Sequence, residues 1–266
     1  MLELININKT FNPGTVNEKK AIDGLSFSME QGEFVTVIGG NGAGKSTLLN
    51  LISGSLLSDS GFVKIDGNDV TTLSEHKRAK LIGRVFQDPM MGTAKDMFIE
   101  ENLALANRRG KFHGLKWGIS KKERELYKSL LATLDLGLEN RLQTKVGLLS
   151  GGQRQAITLL MATMNSPKLL LLDEHTAALD PKTAEKVLEI TEKLVKENNL
   201  TTLMITHNMK DAIKYGNRLI MMSNGKIVVD IKGEEKKNLQ VKDLLNMFHK
   251  ASQDDVIPDS AVLGNE

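Results

Sequence analysis

Short stretches of apolar residues at strand spacing occupy the first forty residues. Residues 2–7 and 21–29 are two such stretches, and the sequence Asn-Pro-Gly at residues 12–14 is a turn signal between them. A β-branched run follows at residues 33–38 and leads directly into a glycine-rich segment. This pattern predicts that the chain begins with β structure.

Helical spacing begins directly after the glycine-rich segment. Apolar residues recur at helix spacing within residues 45–52, and Gly54 is expected to end that helix. Further strands are predicted at residues 62–65 and 81–86. A strand, a glycine-rich loop and a helix in this order are the context that a phosphate-binding loop requires.

The middle of the chain, residues 88–167, carries little strand signal. Helical patterns at residues 99–106 and 121–134 predict a helical subdomain inserted between strands of the core.

Strand and helix patterns return after this insertion. Strands are predicted at residues 168–172 and 201–206, with a helix at residues 182–197 between them. The first of these strands is a continuous apolar run, which is typical of a buried parallel strand. Residues 236–250 predict a small helix, and residues 251–266 are predicted to be disordered.

Composition limits the classes of function. The chain has 266 residues, enough for one domain with a subdomain, and its formal net charge of +2 does not call for a nucleic-acid partner or a membrane surface. Cysteine is absent, which fits a reducing compartment. No apolar run approaches the roughly 18 residues of a membrane span, and the N-terminus does not resemble a secretory signal. We therefore expect a soluble protein that reaches a membrane only through a partner.

The segment GGNGAGKST fits the phosphate-binding pattern G-x-x-x-x-G-K-[ST]. Glycines let backbone N–H groups turn toward an anion, and the N-terminus of the following helix adds a favourable dipole. We expect Lys45 to reach the β- and γ-phosphates of a nucleotide and the Ser46 hydroxyl to bind Mg²⁺. The predicted cofactor-binding residues of this loop are Gly39, Gly40, Asn41, Gly42, Ala43, Gly44, Lys45, Ser46 and Thr47.

A second anion-binding feature follows about a hundred residues later, where Ser150, Gly151 and Gly152 open a helix. Serine is a favoured N-cap, and the two glycines leave backbone N–H groups accessible. An ordinary capped helix start would account for this segment taken alone. One nucleotide does not need two such sites on one subunit, so we expect a dimer in which each chain completes the other's site.

Acidic residues end the leucine-rich strand. Asp173 and Glu174 follow Leu172 at the carboxyl end of a predicted parallel strand, where ligands bind in open α/β sheets. Asp173 suits Mg²⁺ coordination, and Glu174 is placed to polarise a water for attack on a γ-phosphate. His207 follows another strand of the same sheet and could reach the γ-phosphate, although a purely structural histidine is the alternative.

The motifs in this order resemble the ATP-binding subunit of an ABC transporter, over residues 1 to about 232. The matching segments are Walker A (39–47), the Q-loop residue Gln87, the signature (149–155), Walker B (169–174), the D-loop (178–180) and the H-loop residue His207. The resemblance implies an α/β fold: a P-loop NTPase core with a mixed parallel sheet, an N-terminal antiparallel β subdomain and an inserted α-helical subdomain. Residues 233–266 would add a short C-terminal helix and tail.

The resemblance also implies roles for individual residues. Phe11 stands where the family has an aromatic residue that stacks on adenine, and Gln87 senses the γ-phosphate and links to the transmembrane partner. ATP and Mg²⁺ are the implied cofactors. The implied catalytic residues are Lys45, Gln87, Glu174 and His207; the metal ligands are Ser46, Gln87 and Asp173; and further ATP contacts come from Ser150, Gly151, Gly152, Gln153 and Asp180.

One position departs from the family's pattern. His175 stands where proline usually follows the Walker B glutamate, and histidine leaves the backbone freer than proline does. Both acids remain, so hydrolysis is still expected. The variant and a basic insert resemble a subgroup of importer ATPases that accompany binding proteins thought to carry amino acids, including aromatic ones.

These expectations describe an ATPase at the cytoplasmic face of a membrane. It would form a head-to-tail homodimer, drive a separate integral-membrane permease and work with an extracytoplasmic solute-binding protein, with no nucleic-acid partner. Two alternatives stay open: the ATPase subunit of an exporter, and a soluble ABC-type ATPase. Soluble relatives usually carry two cassettes or a long coiled coil, and this sequence shows neither.

The basic insert at residues 107–118 has several interpretations. It could be a solvated loop, a contact with a partner or with lipid headgroups, or, less in keeping with the overall charge, a platform for single-stranded nucleic acid. Its basic and aromatic residues are Arg108, Arg109, Lys111, Phe112, Lys116 and Trp117.

Overall fold

A computed structural model describes residues 1–111 and 118–251 of the chain. Phe112, Lys116 and Trp117 of the basic insert, and the predicted disorder after residue 251, lie outside the described residues. The strands are β1 (Leu2–Phe11), β2 (Lys19–Met29), β3 (Phe34–Gly39), β4 (Ser60–Ile65), β5 (Asn68–Asp69), β6 (Ile82–Val85), β7 (Leu169–Asp173), β8 (Thr201–Ile205), β9 (Arg218–Ser223) and β10 (Lys226–Lys232). The helices are α1 (Lys45–Ser53), α2 (Glu75–Arg78), α3 (Ile99–Arg108), α4 (Lys121–Ala132), α5 (Gly151–Thr163), α6 (Pro181–Glu197), α7 (Met209–Lys214), α8 (Glu234–Lys237) and α9 (Val241–Ala251).

Two sheets organise these elements. An antiparallel sheet has the strand order β2-β1-β4-β5, and a six-stranded sheet has the order β10-β9-β3-β8-β7-β6. In the second sheet the neighbours from β9 to β6 run parallel, and only β10 pairs antiparallel. This mixed α/β architecture, with an antiparallel N-terminal sheet and a largely parallel core, confirms the predicted fold class.

Apolar packing joins the two sheets through helix α1. Leu48, Leu49 and Ile52 on α1 are buried together with residues from both sheets, among them Leu2 of β1 and Val37 of β3. The central strands β3, β7 and β8 are buried on both faces, which explains why the leucine run of β7 is continuous rather than alternating. The phosphate-loop segment therefore leaves a strand that is fixed on both sides.

A second apolar cluster packs helices against the opposite face of the parallel sheet. Leu170 and Leu172 of β7 are buried there with residues of α3, α4, α5 and α6, including Tyr127 and Leu131. Helices α3 and α4 lie within residues 88–167, the range with little strand signal. Among the described residues, no helix is both long enough and apolar enough to cross a membrane.

The observed elements differ from the predicted ones mainly at their ends. Strand β1 continues to Phe11, beyond the predicted residue 7, because it pairs with β2 through several register shifts that the apolar spacing does not reveal. The predicted C-terminal helix is two helices, α8 and α9, since Asp243 accepts a hydrogen bond from the backbone N–H of Gln240 and starts a second helix there. Strands β9 and β10 and helix α7 were not predicted.

Candidate functional site

Close backbone contacts hold the glycine-rich loop between β3 and α1. A Cβ atom on Gly39 would collide with the carbonyl oxygen of Met222 in β9. Gly44 has a φ of 101°, and a Cβ there would lie 2.6 Å from the carbonyl oxygen of Ala21 in β2. Both positions therefore need glycine, and both sheets help to set the shape of the loop.

Lys45 follows the loop and is the first residue of α1. Its side chain is buried, and its ammonium group donates hydrogen bonds to the carbonyl oxygens of Gly39 (2.7 Å) and Gly40 (3.1 Å). Burial lowers the pKa of Lys45, and the negative charges of Glu174 and Asp173 oppose that shift. The ammonium group is thus bonded to carbonyl oxygens of the loop. The oxygens of a bound phosphate can take their place as hydrogen-bond acceptors.

Glu174 and His207 come together at the carboxyl ends of β7 and β8. Nε2 of His207 lies 2.6 Å from Oε2 of Glu174, so the imidazole can donate to the carboxylate. The Glu174 side chain is only 10% exposed, whereas that of His207 is 51% exposed. Glu174 also adopts a left-handed backbone with a φ of 45°. Such a conformation costs a non-glycine residue about 1 kcal/mol or more and is often found at functional sites.

Arg84, on β6, is a residue of this site that the sequence analysis missed. Its guanidinium group donates to the side chains of Asn50 (2.7 Å) and Ser53 (3.0 Å) at the end of α1 and lies 3.7 Å from Asp173. Burial raises the pKa of Asp173, and the charge of Arg84 opposes that rise. Arg84 therefore ties the helix that follows the phosphate loop to the acidic end of β7. The only sign of this role in the sequence is that Arg84 is a basic residue inside a short apolar strand.

A cavity of about 860 Å³ brings several of the predicted residues together. Phe11, Gln87 and Asp173 line it, together with Arg84 and Asn50. The donors that the sequence assigns to Mg²⁺ are a hydroxyl, an amide carbonyl and a carboxylate, which are the hard oxygen ligands that this ion prefers. The described residues hold no group of three or more acidic, histidine or cysteine side chains that could by itself hold a metal ion, and Mg²⁺ bound with a nucleotide does not need one.

The second predicted anion site starts helix α5 as expected. Ser150 is the N-cap and accepts a hydrogen bond from the backbone N–H of Gln153, while the Gln153 side chain accepts from the backbone N–H of Ser150 (3.3 Å each). Asp180 caps the neighbouring helix α6 by accepting from the N–H of Thr183. Among the described residues that line the 860 Å³ cavity, none comes from segment 149–155.

His175 is a buried residue that forms a hydrogen bond to helix α6. The residue is 2% exposed, and Nε2 of its ring lies 3.0 Å from the Oγ1 atom of Thr191 on α6. Because the Thr191 hydroxyl donates to the carbonyl oxygen of Val187, Nε2 of the imidazole donates to the Thr191 oxygen. Burial lowers the pKa of His175 to about 4. The side chain therefore anchors the segment after Glu174 to α6.

This burial predicts a pH-dependent loss of stability. The folded pKa of about 4 lies below the ordinary value of 6.5, so the stabilising contribution is present above pH 6.5 and disappears as the pH falls toward 4. We expect this one group to remove on the order of 3 kcal/mol from the free energy of unfolding over that interval.

Urea unfolding measured across this pH range checks the prediction. His175→Leu should flatten the dependence, and the matched change His76→Leu at an exposed histidine should leave it unchanged. Equal pH dependence in the wild type and in His175→Leu would contradict the assignment.

Parts of the basic insert have local partners. The Arg108 side chain donates to the carbonyl oxygen of Gly118 (2.9 Å), and Arg109 donates to that of Ala162 (3.3 Å). Lys111 donates to the side chain of Asn107 at 3.1 Å. The described part of the insert is thus tied to the helical region rather than fully solvated.

Three comparisons with known proteins bear on this site. Residues 22–177 match a family model described as "ABC transporter". The chain is 49% identical over 252 residues to a protein of Clostridioides difficile named "Tyrosine transport ATP-binding protein", covering 94% of this chain and 100% of that protein. It is 36% identical to the phosphonates import ATP-binding protein of Treponema denticola, covering 86% of this chain and 89% of that protein. Among solved structures, a dimeric ATP-binding cassette in a post-hydrolysis state with ADP and Pi matches with a TM-score of 0.74 and 31% identity, covering 87% of this chain and 98% of that one.

Proposed function

This chain belongs to the ABC transporter family and is an ATPase that binds ATP, and from this premise we propose that it powers the import of an amino acid or a similar small solute through a separate permease. The observation that carries the proposal is the pairing of Glu174 with His207 beside a phosphate loop, in a chain that matches a tyrosine transport subunit over that protein's whole length. Several other relatives are also named for import, among them proteins for phosphonates and methionine.

In this proposal each element of the site has a separate task. Phe11 stacks on adenine, the backbone N–H groups of the phosphate loop surround the phosphates, and Lys45 neutralises the β- and γ-phosphate charge. Glu174 polarises the attacking water, and His207 holds both Glu174 and the γ-phosphate end of the nucleotide. Phosphoryl transfer depends mainly on positioning and on charge stabilisation, and these residues supply both.

Mg²⁺ would be held by Ser46, Gln87 and Asp173 in this site. Bound with the nucleotide, it supplies charge neutralisation between the β- and γ-phosphates. Arg84 helps to keep the Asp173 carboxylate in place through the 3.7 Å contact.

A head-to-tail homodimer completes the proposed site. Ser150, Gly151, Gly152 and Gln153 do not line the 860 Å³ cavity of their own chain, and among the described residues the N–H groups of Gly151 and Gly152 stay unpaired at the start of α5. A second chain in inverted orientation would bring them, with Asp180 nearby, to the nucleotide of its partner. We assign residues 1–232 to the ATPase domain, with a helical insertion at about residues 88–167, and residues 233–266 to a short C-terminal segment.

An apolar groove beside Gln87 is the proposed contact with the permease. A cavity of about 440 Å³ is lined by Phe86, Met91, Leu105 and Met161, with Arg109 at its wall. The side chains of Met91 (69% exposed) and Leu105 (55% exposed) are large apolar groups open to contact. A permease segment bound in this groove would connect Gln87, the proposed γ-phosphate sensor, to the transport step. It would also place the subunit at the cytoplasmic face of the membrane.

Affinity purification of the tagged protein from detergent-solubilised native membranes tests this function. We expect it to recover an integral-membrane permease and an extracytoplasmic solute-binding protein. Leu105→Asp should lose both partners while it keeps ATP binding, because a charge in the groove is costly to desolvate and Leu105 does not line the 860 Å³ cavity. Leu126→Asp on α4, where an exposed leucine also becomes acidic, should recover both.

The other outcomes separate the alternatives. Recovery of a permease without a binding protein would favour an exporter. Recovery of only ribosomal or DNA-repair proteins would overturn the transport proposal and leave the ATPase chemistry intact.

A further inference from the structure

Lys19 stands beside the residue that is expected to stack on adenine. It is the first residue of β2, and it is the antiparallel partner of Phe11, the last residue of β1. Both side chains are exposed at this end of the sheet. A long cationic side chain therefore shares one edge of the N-terminal sheet with the proposed adenine platform.

The Lys19 ammonium also reaches the phosphate loop. A Cβ atom placed on Gly42 would lie 3.0 Å from Nζ of Lys19. Gly42 is an exposed residue of the loop, whereas the following Ala43, Gly44 and Lys45 are buried. Lys45 contacts the loop carbonyls of Gly39 and Gly40 from the inside, so the two lysines approach the loop at different points.

The positive charge of Lys19 has no partner among the described residues of the chain. In the part of the chain that the structure describes, the Lys19 ammonium group has no hydrogen-bond or ion-pair partner. Its neighbour Lys20 is different, because it forms an ion pair with Asp23, which Lys226 also contacts. An unpaired ammonium group over an anion-binding loop is placed to bind an anion.

We propose that Lys19 is a further nucleotide-binding residue, which contacts the phosphate chain at the outer edge of the loop near Gly42. This inference rests on the proposed ATP site and adds to it a second cation besides Lys45. Phe11 and Lys19 then act together, one on the base and the other on the phosphates, from the same end of the β1–β2 pair. The contact involves an exposed charge, so it should weaken as salt concentration rises.

Calorimetric titration of the full chain with ADP tests the inference. Lys19→Met should raise the Kd for ADP by about threefold to tenfold at low salt, as expected for loss of one exposed charge contact. The difference from the wild type should shrink at high salt, and Lys19→Arg should restore most of the affinity. Lys20→Met is the matched control, since it removes the adjacent charge that Asp23 already pairs.

The outcomes are distinguishable from those of the proposed function. Equal Kd values for Lys19→Met and Lys20→Met, with ADP bound normally by the wild type, would overturn the role of Lys19 alone. A wild-type chain that binds no ADP would overturn the ATP site and this inference together. A reduced affinity that does not depend on salt would also contradict the inference, because it would indicate a packing effect and not a charge contact.

Discussion

Replacement of Glu174 by glutamine is expected to lower ATP turnover by about 10²- to 10⁴-fold while ATP binding stays intact. The amide has nearly the shape of the carboxylate, and its oxygen can still accept a hydrogen bond from His207. It cannot take a proton from water, however, and it carries no charge to polarise one. Because Glu174 is almost fully buried, few other groups can replace it.

Steady-state ATP hydrolysis and equilibrium ATP binding should be measured on the same preparation. Glu174→Gln should also elute as a dimer in the presence of ATP, since the nucleotide that closes the interface is not consumed. Glu185→Gln is the matched control, because Glu185 lines the same cavity of about 400 Å³ as Glu174 and His207. Normal turnover in Glu174→Gln would remove Glu174 from the catalytic role.

Replacement of Lys45 by methionine is expected to raise the Kd for ATP by on the order of 100-fold, the effect of removing a partner from a buried charge pair. Lys45 is only 6% exposed and its ammonium group is already bonded to the loop, so its position needs little reorganisation when phosphates arrive. Methionine keeps most of the length of the side chain and removes the charge. The phosphates would then face the loop without the internal cation.

Equilibrium titration with ATP checks this second effect, and the melting temperature without ligand serves as the control for folding. A variant with an unchanged melting temperature and a strongly raised Kd supports direct phosphate contact. ATP binding as tight as in the wild type would contradict it. The two variants separate the steps of the cycle, because Lys45→Met should fail at binding and Glu174→Gln at hydrolysis.

Local signals in the sequence predicted the parts of the site that lie close together along the chain. The order of β3, the glycine-rich loop and α1 follows from spacing and residue type, and so does the position of Asp173 and Glu174 at the end of a buried strand. These features depend on a few neighbouring residues, so no knowledge of the tertiary fold is needed. The N-cap role of Ser150 is of the same kind and is confirmed.

Contacts between distant segments could not be predicted in the same way. The bond between Glu174 and His207, and the link from Arg84 to Asn50 and Asp173, depend on which strands become neighbours in the sheet. The environment of His175 is another example. Sequence reasoning considered only the backbone freedom that proline would remove, whereas the buried ring and its bond to Thr191 come from the packing of α6.

The order of strands in the six-stranded sheet has a consequence for local stability. Strand β3, which carries the phosphate loop, lies between β8 and β9, whereas β6, which leads toward Gln87, is one of the two outer strands and pairs only with β7. In amide hydrogen exchange, interior strands exchange only through large unfolding events, while outer strands open in smaller ones. The strand that carries the phosphate loop is therefore expected to exchange its amide hydrogens more slowly than the strand that leads to Gln87.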